Sequence, residues 1–431
     1  MVSQIEKVIG RRVWDSRGWP TVEVEIRLAS GAMGRALAPA GASTGSAEAV
    51  DLRDGGPRFR GKDVTKAVRA VEAEIARDLR GMDATDQAAV DAALVALDGT
   101  PNKSRIGGNA IVATSMAVAH AAAASAGVPL WKYLAGGRAV HLPLPEIQIF
   151  GGGAHAGRRI DVQDFMVIAV GASNYTEALD WTAEVYHSAG QLMSDAGLLA
   201  GVADEGGFWP LFQNNSEALD MLMRAIERAG FRPGEQVAIS LDIAASQFGS
   251  GGRYRLGLEK RELDSAAMSE MLLDWLRRYP IVAIEDPLAE DDAAGIAAFT
   301  QQTKNVAVVG DDFLATNAAR IRSAAAAGAC NTALIKPNQI GTLTETKAAF
   351  DAAVEAHWGT IVSARSGETE DATIVHLAVG WGAPMLKVGS FTRSERMVKW
   401  NEGLRIAEAL GGKGELPPRK AFPWDKGPWA K

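Results

Sequence analysis

The chain has 431 residues, 47% of them hydrophobic and 23% charged, with a net charge of −7. That length exceeds one small core, the composition leaves no room for a disordered majority, and the charge offers no basic surface for nucleic acid. No apolar run is long enough to cross a bilayer, the first residues carry no secretory apolar segment, and a single cysteine, Cys330, excludes an internal disulfide framework, so a cytoplasmic protein is expected.

Residues 1–30 alternate apolar and polar positions, with Val22, Val24 and Ile26 on one face, and read as an antiparallel meander. The next stretch, Ala38-Pro39-Ala40-Gly41-Ala42-Ser43-Thr44-Gly45-Ser46, is small and hydroxyl-bearing. It is either a flexible connector or a mobile loop that closes on a ligand. Helical spacing rich in Ala runs over 64–97 and 109–126. Strands followed by helices predict an α+β domain over 1–137, ending near Gly136-Gly137-Arg138, and a second domain over 138–431.

Beyond that point strands and helices alternate. Strands are expected at 146–150, 164–170, 237–244, 281–286, 306–311, 333–336, 360–364 and 385–388, the eight a closed (β/α)₈ barrel needs. A helix over 393–410 and a Pro- and Trp-bearing tail complete the chain. Four of the strands run into charge: Asp242, Glu285 in Ile284-Glu285-Asp286-Pro287, Asp311 in Gly310-Asp311-Asp312, and Lys336 in Lys336-Pro337-Asn338. The last three recur at a spacing of about 25 residues, one βα unit, and in a barrel such ends meet at one mouth. Three hard oxygen ligands, with no Cys and no adjacent His pair, suit Mg²⁺ rather than Zn²⁺. A lysine beside that cation is a candidate general base. The plain alternative is four unrelated strand-end charges in solvent, which their common phase disfavours.

Three loops add chemistry. Gly151-Gly152-Gly153-Ala154-His155-Ala156-Gly157-Arg158-Arg159 brings His155 and two arginines towards the mouth, and Asp204-Glu205-Gly206-Gly207 offers Glu205 as a partner acid opposite Lys336. Ser363-Ala364-Arg365-Ser366-Gly367-Glu368-Thr369-Glu370-Asp371 sets a guanidinium beside a hydroxyl, which suits phosphate, although Arg365 could instead pair with Glu368 or Asp371. Lys387 ends the last strand, in reach of a carboxylate. The set fits a small acid bearing phosphate or a similar anion, deprotonated next to its carboxylate.

In this order, the strings Asp15-Ser16-Arg17-Gly18, Gly41-Ala42-Ser43-Thr44-Gly45, Asp204-Glu205-Gly206-Gly207, Ile284-Glu285-Asp286-Pro287, Arg365-Ser366-Gly367-Glu368-Thr369-Glu370-Asp371 and Arg393-Ser394-Glu395-Arg396 resemble the enolase family over almost the whole chain. The resemblance implies an N-terminal α+β capping domain on a modified (β/α)₈ TIM-like barrel, assembled as a homodimer or higher homo-oligomer. It implies two Mg²⁺ ions, the tighter on Asp242, Glu285 and Asp311 and the second on Ser43. Lys336 then matches the base that removes the C2 proton and Glu205 the acid that helps hydroxide leave C3. Arg365 and Ser366 match phosphate contacts, Lys387 lies near the substrate carboxylate, and His155 keeps its family position.

Departures from the family pattern crowd the same site. Ala364 stands where Ser-His-Arg-Ser-Gly would place a histidine, and Asp164 withdraws the carboxylate of Gln-Glu-Phe-Met by one methylene. Arg158 replaces an Asn, Trp19 replaces the Asn of Asp-Ser-Arg-Gly-Asn-Pro, Ala40 stands for Ser, and Trp209 for Ala. Lost imidazole and gained arginine point to a bulkier, more anionic substrate. The favoured reading is the carboxyphosphonoenolpyruvate synthase branch, which serves phosphinothricin-type antibiotic pathways and uses a CMP-activated phosphonoformate. Ordinary dehydration of 2-phosphoglycerate to phosphoenolpyruvate is the alternative, and a catalytically silent binding protein the third.

Overall fold

The computed structural model describes residues 2–412 and 414–426. It opens with a three-stranded antiparallel sheet, Ile5–Trp14, Pro20–Leu28 and Met33–Leu37, in that order. Val22, Val24 and Ile26 are fully buried on one face, as their alternation predicts. The other face buries Glu23 and Glu25, and both carboxylates are met by Arg11, at 2.8 and 2.9 Å.

The helical run expected over 64–97 is two helical segments. Thr65–Ala70 continues through the wider turn Val71–Ile75 into Ala76–Leu79, and a second helix spans Gln87–Asp98. The break lies at Gly81, whose φ of +85° no helix accommodates. Asp86 then caps the second helix by accepting from the Ala89 N–H at 3.0 Å. The Ala-rich helix Gly108–Ser125 is buried along most of its length. Its small side chains let the sheet come close: a Cβ on Gly34 would lie 2.2 Å from the Ala117 carbonyl oxygen. A helix Leu130–Ala135 leads to a connector, 136–143, in which the proposed division at 137/138 would fall.

The second half is a closed barrel of Leu144–Gly151, Asp164–Ile168, Ala238–Asp242, Ile281–Glu285, Ala307–Gly310, Thr332–Ile335, Gly359–Ser363 and Met385–Gly389, the last pairing back onto the first. All eight lie where strands were expected, and the buried runs of Val, Ile, Leu and Ala are what a sheet covered on both faces requires. One strand reverses. Asp164–Ile168 is antiparallel to both its neighbours, because a short loop rather than a helical crossover joins it to the first strand. The reversal puts its first residue, Asp164, at the mouth opposite Asp242.

At the far end of the barrel the tail folds underneath. Phe422 and Trp424 stack with ring centroids 4.9 Å apart and pack against Leu144, Ile168, Ala238 and Val282. The rest of the expected Trp-bearing tail, 427–431, lies outside the described residues. No described helix is long and apolar enough to cross a membrane. Cys330 is buried, and burial holds its thiol well above the ordinary pKa, as a packed bystander should be.

Candidate active site

The barrel mouth gathers most of the expected residues. Asp242 and Glu285 end adjacent strands in register, and Asp311 follows the next strand. Lys387 reaches across the barrel from the last strand and donates to both Asp242 Oδ2 and Glu285 Oε2 at 2.8 Å. Lys336 donates to Asp311 Oδ2 at 2.5 Å, and Gln339 donates to Asp311 Oδ1 at 2.8 Å. All are buried.

Two ammonium groups thus occupy the spaces among three carboxylates. Burial, then the neighbouring charges of Asp242 and Asp311, push Glu285 well above the usual carboxylate range despite Lys387. Its Oε1 is buried and has no hydrogen-bond partner. An orphaned carboxylate oxygen among crowded acids is what a site built for a hard cation presents. For Lys336, burial works against the charge, but Asp311 outweighs it and draws the ammonium above its ordinary pKa. The lysine can therefore act as a base only when Asp311 is engaged elsewhere.

Among the described residues, two acidic groups bring their ligand atoms within 4.8 Å of one another: His155 with Asp164 and Glu205, and Asp286 with Asp311 and Asp312. The trio Asp242, Glu285 and Asp311 is not gathered that tightly; Lys387 bridges the first two and Lys336 holds the third. Asp286 spends its oxygens on the N–H groups of Asp311 and Asp312, at 2.9 and 2.8 Å, so it braces the turn that holds Asp311.

In the other group, His155 Nδ1 lies 3.5 Å from Asp164 Oδ1 and 3.9 Å from Glu205 Oε1. Burial opposes charge on the imidazole, but Glu205 and then Asp164 reverse that and raise its pKa. The two carboxyls part company. Burial alone would raise Asp164, yet His155 and Lys387 hold it well below the carboxylate range, whereas burial wins at Glu205 and raises it. An ionised acid and a proton-holding acid side by side is the arrangement that separates base from acid roles. Glu205 owes its place to the hairpin of Leu199–Val202 and Phe208–Pro210, which pairs with the first barrel strand through Phe208 and Phe150.

The Gly-rich loop is folded down on the mouth. Arg365 Nη2 donates to the Ser43 carbonyl at 2.9 Å, the Ala42 N–H donates to Ser366 Oγ at 2.6 Å, and Ala40 and Gly367 exchange backbone hydrogen bonds. Gly41 is dictated by this closeness, since a Cβ there would lie 2.0 Å from Arg365 Nη2. Arg365 pairs with neither Glu368 nor Asp371. Its guanidinium grips Glu48, at 2.8 and 3.2 Å, while Glu368 accepts from the Arg365 N–H and pairs with Lys399 at 3.0 Å. Arg396, fully buried, donates to the Arg365 carbonyl at 2.6 Å and to the Ser366 carbonyl, fixing the loop from behind.

Of the departures, Ala364 lines the central pocket together with Ser43, His155, Glu205, Lys336, Arg365, Ser366 and Lys387. Arg158 does not join them: it is exposed, with a φ of +57°, on the loop after the first strand, as is its neighbour Arg159. The Trp209 ring backs that loop, 3.2 Å from where a Cβ on Gly157 would be.

Four supporting residues escaped the sequence reading. Gln163 donates to Asp242 Oδ2 at 2.8 Å, Gln339 donates to Asp311, Glu48 accepts from Arg365, and Gln148 donates to Asp164. Gln148 carried a signal, being polar at an alternate position of an otherwise apolar strand, in phase with buried Glu146. Glu48 carried none.

Comparison with known families gives two matches. The family described as the N-terminal domain of enolase matches residues 5–134, and that described as the C-terminal TIM barrel domain of enolase matches residues 139–422.

Proposed function

The chain belongs to the enolase family, and we propose that it is a Mg²⁺-dependent enzyme of a 2-phosphoglycerate-type acid, favoured as a carboxyphosphonoenolpyruvate synthase that meets a CMP-activated phosphonoformate. The observation that carries this reading is a pocket in which Lys336, Glu205 and His155 are all present while Ala364 offers only a methyl group to the same wall. In this reading Lys336 takes the α-proton and Glu205 gives a proton to the departing group. Arg365 and Ser366 hold the phosphate, Lys387 faces the substrate carboxylate, Asp164 keeps His155 charged and oriented, and Arg158 is left outside the pocket wall. Asp242, Glu285 and Asp311 would hold one Mg²⁺ and Ser43 would offer its oxygen to a second; bound there, the metal supplies positive charge beside the substrate carboxylate. A cytoplasmic, at least dimeric protein belongs to the same proposal.

Ordinary dehydration of 2-phosphoglycerate is the second reading. It is favoured by one observation, the proton-holding tendency of buried Glu205, which suits an acid that expels hydroxide. Steady-state assays with Mg²⁺ and 2-phosphoglycerate, alone and with CMP-phosphonoformate, separate the two. The first reading expects slow formation of phosphoenolpyruvate and a donor-dependent phosphono product seen by phosphorus NMR. Brisk dehydration with no response to the donor would establish the second instead.

A further inference from the structure

Beside the central pocket lies a second and larger one. The space among the reacting side chains has a volume of about 10 Å³, room for one water. Its neighbour, lined by Arg17, Trp19, Lys62, Asp204 and Arg393 and sharing Gly41 with the first, has a volume of about 520 Å³. That is within the range of roughly 300–1,000 Å³ of small-molecule sites. Arg17 forms the partition, for its Nη1 donates to Ser366 Oγ at 3.4 Å.

The lining is rich in positive charge and short of counter-charge. Arg17 is shared with Asp15 at 3.4 Å, and its Nε is buried with no partner. Among the described residues neither Lys62 nor Arg393 has a carboxylate within ion-pair distance. Partial burial and then the charges of Arg17 and Arg53 draw the Lys62 ammonium below its ordinary pKa, against the weaker pull of Asp15 and Asp51. Arg393 holds a φ of +71°, an uncommon conformation for a residue with a side chain, and is pinned by its Nε to the Ala203 carbonyl at 3.1 Å. Among the described lining residues the one aromatic group is Trp19, half-buried, with the Lys62 ammonium 4.5 Å from its ring centroid. A phosphate held by Lys62 would therefore lie beside an indole. Asp204 on the rim can accept from hydroxyl or amino groups of the substituent on that phosphate.

We propose that this pocket is a subsite for a nucleoside monophosphate group, with the phosphate among Arg17, Lys62 and Arg393 and the base against Trp19. The inference rests on the donor-using reading above and gives that reading a place for the part of the donor that takes no share in proton transfer. Across Arg17 and Gly41 the subsite adjoins the pocket that holds Ser366 and Arg365, so a group bound in it lies beside the reacting side chains.

Calorimetric titration of full-length protein in Mg²⁺-free buffer tests it without turnover, using CMP, cytidine and inorganic phosphate as probes. CMP is expected to bind at least about tenfold tighter than either fragment. Trp19→Asn is expected to weaken CMP by about 5- to 150-fold and leave inorganic phosphate unchanged, since base stacking alone is lost. Lys62→Met, at an exposed position where folding is not at stake, is expected to weaken CMP and phosphate together. Absence of CMP binding at millimolar concentration, or equal CMP affinity in wild type and both variants, overturns the subsite. The two claims fail separately: CMP binding lost with Trp19 but no donor-dependent product retires the phosphonoformyl chemistry alone, and donor-dependent product with Trp19-independent CMP binding retires the subsite alone.

Discussion

Replacing Glu48 by alanine strips the counter-charge from Arg365. Both side chains are nearly inaccessible to water, and the pair is bidentate, at 2.8 and 3.2 Å. Removing one member of a buried pair leaves the other unpaired, at a cost of about 3–5 kcal/mol, whereas an exposed pair would cost less than about 1. The carboxylate also accepts from the Gly45 N–H at 2.9 Å, so the loop over the mouth should loosen as well. If Arg365 is a phosphate ligand, inorganic phosphate should then return part of the loss by binding the freed guanidinium. At ten times its dissociation constant that return is about 1.4 kcal/mol, larger than phosphate gives the wild type, whose Arg365 is already paired. Urea unfolding of Glu48→Ala with and without phosphate measures both quantities. A loss below about 1 kcal/mol, or equal phosphate stabilisation of variant and wild type, would show that Glu48 does not hold Arg365 in this way.

His376 should contribute an acid-sensitive component of stability. Burial, aided by His120 at 6.0 Å between ring centroids and opposed by Glu402 at 3.5 Å, lowers it to about 4, so the unfolded chain takes up a proton between pH 6.5 and 4 that the folded one refuses. Stability then falls as the pH drops through that window, by at most about 3 kcal/mol, and His376→Gln should flatten that part of the profile; an unchanged acid slope in the variant would reassign it. Glu285→Gln should weaken Mg²⁺ binding at least about tenfold by calorimetry with the fold intact, while unaltered affinity would place the metal elsewhere. Ala364→His combined with Asp164→Glu should move kcat/KM towards 2-phosphoglycerate by roughly 10- to 100-fold, the value of about 1–3 kcal/mol of pocket contact, and no change would show that these two positions do not set selectivity.

The barrel was legible because apolar runs end in charge, three of them repeating at the length of one βα unit, and that pattern placed Asp242, Glu285, Asp311 and Lys336 at one mouth. The direction of Asp164–Ile168 was not legible, since strand, loop and strand read alike whether the second strand runs up or down. Apolar spacing also ran through the break at Gly81, because the two helices it separates bury the same kind of face. Arg365 shows where local reading ends. Its sequence neighbours Glu368 and Asp371 were natural partners, but the one it takes, Glu48, is 317 residues away and sits on the loop that folds over it. Arg158 was expected near the substrate because it lies just beyond His155 in the chain; the turn at Gly157, φ +60°, directs Arg158 and Arg159 to solvent instead.

That Lys336 is the base of an α-proton abstraction, in a mouth built for Mg²⁺, is tested most directly by exchange of the C2 proton of 2-phosphoglycerate with deuterated water, measured by proton NMR. The wild type should show Mg²⁺-dependent exchange, and Lys336→Ala should lose at least about 10²-fold of it with an unchanged circular dichroism spectrum. Exchange at the wild-type rate in that variant would contradict the assignment of Lys336 as the base.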